Sequence, residues 1–213
     1  AMLQIAEIFK SIQGESTYAG LPCGFVRLTG CNLRCTWCDT EYAFYGGTAM
    51  SQQKVLDTVE SFGLRLVEIT GGEPLLQEAV YPLMQALLDQ EYTVLLETSG
   101  SILLDKVPEQ VVKVMDLKAP GSGEVEKNCY ENLKFLTPKD EIKFVVQSRE
   151  DYEWSRSLIT EYRLNERVCI LFSPVFGKLD LQSLADWVLQ DNLPVRLQTQ
   201  LHKLIWGQDA IGV

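Results

Sequence analysis

The chain of 213 residues is 46% hydrophobic and 23% charged, enough apolar content for a core of ordinary size. Its formal net charge is -10 at pH 7, and no run of clustered Lys and Arg offsets it, which argues against a phosphate-tracking surface and a nucleic-acid partner. No stretch approaches the roughly 20 apolar residues of a membrane helix, and residues 1–7 lack a signal-peptide pattern, so the expectation is a cytoplasmic protein folded as one domain over residues 1–213.

In chain order, a short strand is expected near Leu3–Phe9 and another at Gly24–Thr29. Ser51 can cap a helix running to about Phe62. Strand Arg65–Thr70 follows, then a helix over Gln77–Gln90 that carries Val80, Leu83, Met84, Leu87 and Leu88 on one stripe. The pattern continues with strands Thr93–Glu97, Val111–Leu117 and Glu141–Val146, helix Arg149–Tyr162, strand Arg167–Phe172, helix Asp180–Gln190 and strand Pro194–Gln198. Val, Ile, Leu and Phe dominate the strands, as buried parallel strands require. Strand–helix alternation implies an α/β fold of right-handed β/α units. About six or seven units fall short of an eight-fold barrel, so the expected fold is an incomplete TIM-type barrel of parallel strands, with a doubly wound sheet as the alternative. In either, ligands gather at the carboxyl ends of the strands.

Cys31, Cys35 and Cys38 fall directly after the strand Gly24–Thr29, in the run TGCNLRCTWCDT. In a reducing compartment, clustered cysteines favour a metal centre over disulfides. Three thiolates suit zinc or an iron–sulfur cluster. A structural zinc site closes with four ligands, and only Cys23 or the single histidine, His202, offers a fourth. Cys129 stands alone, and Cys169 reads as a small buried hydrophobe. On a four-iron cube, three thiolates leave one iron open for chemistry.

This C-x3-C-x2-C spacing after a strand, with Trp37 before the third cysteine, resembles the radical S-adenosylmethionine superfamily. The resemblance implies a [4Fe–4S] cluster on Cys31, Cys35 and Cys38. The amino acid end of S-adenosylmethionine would chelate the open iron, and one electron would cleave the sulfonium to a 5′-deoxyadenosyl radical. Gly71-Gly72-Glu73-Pro74, after the strand Arg65–Thr70, looks like the superfamily's Gly-Gly-Glu motif. A bare Gly-Gly is otherwise only a turn that permits close approach or positive φ. By the same resemblance Trp37, Gly72, Glu73, Ser99, Asp116, Lys118 and Ser173 would hold the cofactor, although each strand-end group alone reads as an ordinary polar loop.

The segment from Glu7 to Gly20, the run Gly24-Phe25-Val26-Arg27-Leu28 and the terminal Leu197–Lys203 further resemble the 7-carboxy-7-deazaguanine synthase family of queuosine and 7-deazapurine biosynthesis. That family's reaction is a lyase-type ring contraction of 6-carboxy-5,6,7,8-tetrahydropterin with loss of ammonia, in which the cofactor is regenerated. The resemblance assigns Ile12, Gln13, Gly14, Glu15, Arg27, Thr70, His202 and the Val213 carboxylate to the pterin, and Thr40 to Mg2+. Gln13 and Glu15 suit a flat polar edge, and Arg27 offers a forked guanidinium to the substrate carboxylate if it points inward. The resemblance also implies a homodimer and an external flavodoxin- or ferredoxin-like electron donor. The alternatives are an activating enzyme that makes a glycyl radical on a partner protein, and a non-enzymatic metal-binding module.

Overall fold

In the computed structural model, which describes residues 1–213, the chain opens with a long strand, β1 (Met2–Ile12), and returns through residues 13–21 into β2 (Pro22–Leu28). β1 and β2 are antiparallel, and β3 (Thr48–Ser51) adds antiparallel to the other edge of β1. From β2 onward every pairing is parallel, through β4 (Leu66–Thr70), β5 (Thr93–Thr98), β6 (Val112–Asp116), β7 (Glu141–Val146), β8 (Cys169–Pro174) and β9 (Arg196–Leu197). The sheet order is β3-β1-β2-β4-β5-β6-β7-β8-β9, and β3 and β9 do not meet. This is the incomplete barrel expected. The doubly wound alternative fails, because the parallel strands run in sequence without the reversal that makes a switch point. The expectation of parallel strands needs one correction: β1 runs antiparallel to both of its neighbours, β2 and β3, and its pairing with β2 lets a short loop join the two without a crossover.

The helices are α1 (Gln52–Glu60), α2 (Val80–Asp89), α3 (Arg149–Tyr162), α4 (Leu181–Asp191) and α5 (Leu201–Trp206). Ser51 caps α1 by accepting from Lys54 N, and Ser148 and Asp180 do the same for α3 and α4. α2 starts later than the periodicity suggests, because Pro74–Leu76 forms a separate 3-10 turn. Two elements carried no signal: β3 is a four-residue, largely exposed strand, and α5 is too short for a periodic stripe. Between β6 and β7 the chain crosses in 3-10 turns (Pro120–Ser122, Val125–Lys127, Tyr130–Phe135) rather than an α-helix.

Strand alternation sorts the side chains. Val26 and Leu28, Val67 and Ile69, Val94 and Leu96, and Ile142, Phe144 and Val146 join the apolar layer under the helices. Phe144 lies there between Trp154 and Phe172, so truncating it to Ala costs about 3–5 kcal/mol. The residues between them turn inward: Arg27, Glu68, Thr70, Glu97, Asp116 and Lys143. One face of the sheet is oil and the other is a lined cavity.

Candidate active site

The inward residues and the loops at the strands' carboxyl ends line an open cavity of about 760 Å³. The loop after β2 carries the cysteines across its mouth. Gly30, at φ +95°, starts the loop in the left-handed region that favours glycine. Its N–H donates to Ala43 O at 2.7 Å, and Thr36 ties the middle of the loop to Gly121 O and Ser122 O. Cys31, Cys35 and Cys38 are half-buried free thiols on this loop, and all three line the cavity. Burial pushes the Cys35 thiol up to about 11 and raises Cys38 as well, and neighbouring cysteines add to both shifts. Three free thiols on one loop, facing one cavity, form a donor set suited to a strongly cationic centre. No three His, Cys, Asp or Glu side chains gather as a single-ion site. Cys23, one residue that would close a zinc tetrahedron, is buried in β2 outside the cavity lining. The thiols therefore fit a polynuclear cluster with one unligated iron.

The glycine pair after β4 acts through space rather than φ, since neither Gly71 nor Gly72 has a positive φ. A Cβ on Gly72 would overlap Gly30 O and stand 3.4 Å from Cys31 Cβ, so only glycine lets this turn pack beneath the cysteine loop. Glu73 N–H donates to Gly30 O at 2.8 Å. The Glu73 carboxylate is fully buried and does not line the cavity. It accepts from Ser99 N (2.7 Å), Ser99 Oγ (2.9 Å), Thr98 Oγ1 (3.0 Å) and Leu75 N (3.0 Å), tying β4's end to β5's.

The other expected cofactor groups, Trp37, Gly72, Ser99, Asp116, Lys118 and Ser173, all line the cavity. Lys118 donates to Asp116 Oδ2 at 2.8 Å. Asp116 Oδ1 and Ser173 Oγ are buried without a hydrogen-bond partner. Orphaned polar atoms of this kind want a ligand with its own donors and acceptors, as S-adenosylmethionine has.

On the substrate side, Arg27 points inward as expected. Its Nε donates to Glu7 Oε1 at 2.9 Å, one terminal nitrogen donates to Gly71 O at 2.8 Å, and Tyr42 lies against the guanidinium. Ile12, Gln13, Gly14, Glu15, Thr70, His202 and Val213 reach the same cavity. Gly14 is the contact face for α5: its carbonyl accepts from Leu201 N, and a Cβ there would overlap the His202 ring. Burial holds His202 below its ordinary pKa, so it is a neutral imidazole at neutral pH. Thr40 lines the cavity and donates to Asp39 Oδ1 at 2.8 Å. That places a hydroxyl oxygen and a carboxylate side by side, a donor pair that fits Mg2+.

Residues 25–121 match the radical SAM superfamily. The chain is 50% identical to the 7-carboxy-7-deazaguanine synthase of Koribacter versatilis (strain Ellin345), over 99% of this chain and 100% of that protein. It is 48% identical to the 7-carboxy-7-deazaguanine synthase of Chlorobaculum tepidum, over 100% of this chain and 98% of that one. The chain belongs to the 7-carboxy-7-deazaguanine synthase family. The crystal structure of QueE from Escherichia coli shares the fold, with a TM-score of 0.78 at 24% identity, over 94% of this chain and 95% of that one. Streptococcus suis SuiB bound to S-adenosylmethionine shares it more distantly, with a TM-score of 0.58 at 16% identity, over 79% of this chain and 48% of that one.

In this member of the synthase family the cavity also holds charges that the motifs did not flag. Lys143, from β7, donates to Glu15 Oε2 at 3.0 Å and to Glu97 Oε1 at 3.1 Å. Gln13 Nε2 donates to Glu68 Oε1 at 2.7 Å. Burial and the neighbouring Glu97 carboxylate push Glu68 well above the usual carboxylate range. Burial also acts on Glu97, but Lys143 outweighs it and holds that carboxyl low. Lys143 itself, despite burial, is held well above its ordinary value by Glu15 and Glu97. A signal for these residues was present: each of Glu68, Glu97 and Lys143 interrupts an apolar strand, although a buried strand charge can also be paired away from the cavity, as Lys113 is with Asp140. Asp39, which accepts from Lys203 in α5, sits between two expected ligands and escaped notice for lack of a motif of its own.

Proposed function

We propose that this chain catalyses the radical ring contraction of 6-carboxy-5,6,7,8-tetrahydropterin to 7-carboxy-7-deazaguanine, with loss of ammonia, as a step in making queuosine and other 7-deazapurines. The carrying observation is that the three free cysteines, the orphaned Asp116 and Ser173 oxygens, and the inward Arg27 and Glu15 all line one cavity. Residues 1–213 act as one domain in this reading.

Cys31, Cys35 and Cys38 would hold a [4Fe–4S] cluster, and Trp37, Gly72, Ser99, Asp116, Lys118 and Ser173 would hold S-adenosylmethionine. Together cluster and cofactor supply a one-electron cleavage of the sulfonium that yields a hydrogen-abstracting carbon radical. Glu73 positions rather than contacts: it fixes Thr98 and Ser99 where the cofactor lies. Arg27 takes the substrate carboxylate on the guanidinium face left free by Glu7 and Gly71, and Thr40 would offer its hydroxyl to a Mg2+ ion, which would supply further positive charge for that carboxylate. Gln13, the backbone of Ile12–Gly14, and Glu15 read the polar edge of the pterin, while Thr70, His202 and Val213 close its remaining sides. The reading includes a homodimer, a cytoplasmic location and an external flavodoxin- or ferredoxin-like electron donor. No helix is long and apolar enough to cross a membrane.

The test is anaerobic cluster reconstitution, then incubation with reductant, S-adenosylmethionine, Mg2+ and the carboxy-pterin. Deazaguanine product and free ammonia are expected; cluster-loaded protein that cleaves the cofactor without forming that product contradicts the reading.

A further inference from the structure

The charge cluster on the cavity wall is assembled from three separate places in the chain. Glu15 comes from the loop after β1, Glu97 from the end of β5, and Lys143 from β7, which is separated from β5 by β6. A single ammonium lies within hydrogen-bond reach of both carboxylates, at 3.0 and 3.1 Å. The two acids are therefore close neighbours. Glu15 and Lys143 are almost closed to solvent, while a quarter of the Glu97 side chain is exposed. All three line the cavity, so the ion triad presents its open side to whatever binds there.

Two adjacent buried carboxylates do not both stay ionised without a cation between them. One takes a proton and changes from acceptor to donor. The remaining charges facing the triad do not substitute for Lys143. Glu68 and Asp116 are further acids, His202 is neutral, and Lys118 is engaged by Asp116. Glu68 relieves part of the excess by carrying a proton of its own against Glu97, where it also fixes the Gln13 amide. What remains at the surface of the triad is a row of fixed acceptors.

We propose that Lys143 is a positioning residue that holds Glu15 and Glu97 side by side as one acceptor clamp for the N–H-bearing pyrimidine edge of the pterin. This rests on the substrate reading above. A 2-amino group and the adjoining ring N–H present parallel donors, and ionised carboxylates accept such pairs strongly. Lys143 touches neither substrate nor cofactor; it holds Glu97 low, opposes the burial that raises Glu15, and fixes the separation of the two carboxyls. Arg27 lines the same cavity from β2, so one molecule is gripped at its carboxylate and at its amino end, which sets its orientation.

The test compares wild type with Lys143→Met and Glu97→Gln, all anaerobically reconstituted. Carboxy-pterin binding is measured without reductant, followed by KM and kcat. Lys143→Met is expected to raise Kd and KM about 30-fold, in line with losing charge-assisted hydrogen bonds, with a much smaller fall in kcat. The double variant Lys143→Met/Glu97→Gln is expected to bind no worse than Lys143→Met, because both changes break one clamp. Additive losses, or a Kd within twofold of wild type, overturn the proposal. If Lys143→Met does not fold, Glu97→Gln decides. It should bind the carboxy-pterin and its analogue lacking the 2-amino group with similar affinity, whereas wild type prefers the parent by about tenfold; undiminished preference in Glu97→Gln overturns the clamp. Failure of wild type to bind the carboxy-pterin at all defeats the substrate reading instead.

Discussion

The Lys203 ammonium donates to Asp39 Oδ2 at 2.8 Å, tying the last helix to the loop that carries the cysteines. Asp39 stands between Cys38 and Thr40, so one ion pair links α5 to the cluster and Mg2+ positions. Because Asp39 is half exposed, the pair is a latch rather than a major source of stability. Lys203→Met is expected to weaken substrate binding by about threefold to fivefold, the range an exposed pair supports. Faster amide exchange across residues 201–206 should accompany the loss. Unchanged exchange would show that α5 is held by Gly14 alone.

His202 gives that same helix a pH dependence. Burial lowers its pKa below the unfolded value of about 6.5, so between the two values the unfolded chain binds a proton that the folded chain does not. The stability associated with neutral His202 is therefore present above about pH 6.5 and is lost as pH falls through that value toward the folded pKa. Glu15 and Asp39 oppose the shift, while Lys203 and Arg27 reinforce it. Exchange at 201–206 should rise between pH 7.5 and 5.5 in wild type, and this rise should be smaller in His202→Gln.

Glu73 is the buried acid whose loss should cost most. Glu73→Ala strands donors on Ser99, Thr98 and Leu75 in the interior, a loss of about 2–4 kcal/mol. Glu73→Gln keeps one acceptor oxygen and should cost less. Denaturant titration of both variants checks the order, and cofactor binding should weaken with Glu73→Ala because Ser99 loses its anchor.

Metal content separates the cysteines. Cys35→Ala should lose cluster iron and all cluster-dependent turnover, while Cys129→Ser and Cys169→Ser should keep wild-type iron and sulfide. Iron retained in Cys35→Ala would refute the ligand assignment. Gly72→Ala should also lose iron, since its Cβ meets Gly30 O beneath the loop. For Thr40→Ala, turnover should lose much of its response to Mg2+.

Much of this architecture is legible in the sequence, for reasons that also explain what is not. Arg149–Tyr162 appears with its boundaries intact because a serine cap and a long apolar stripe agree. β3 and α5 are short and take their structure from neighbours, β1 and Gly14, far away in sequence. Arg27 can be aimed inward because Val26 and Leu28 need the oil side. The same argument applied to Glu68, Glu97 and Lys143 would have found the acid cluster; reading the strands as uniformly apolar hid it. Glu73 reads as a cofactor contact from its motif, but only the fold reveals its bonds to Thr98 and Ser99.

A radical rearrangement of the pterin that returns the cofactor intact is checked by counting product and cleaved cofactor in one anaerobic run. 7-Carboxy-7-deazaguanine should accumulate in large excess over S-adenosylmethionine cleaved, and only with all three cysteines present. One cofactor destroyed per product, or cofactor cleavage with no deazaguanine, would contradict it.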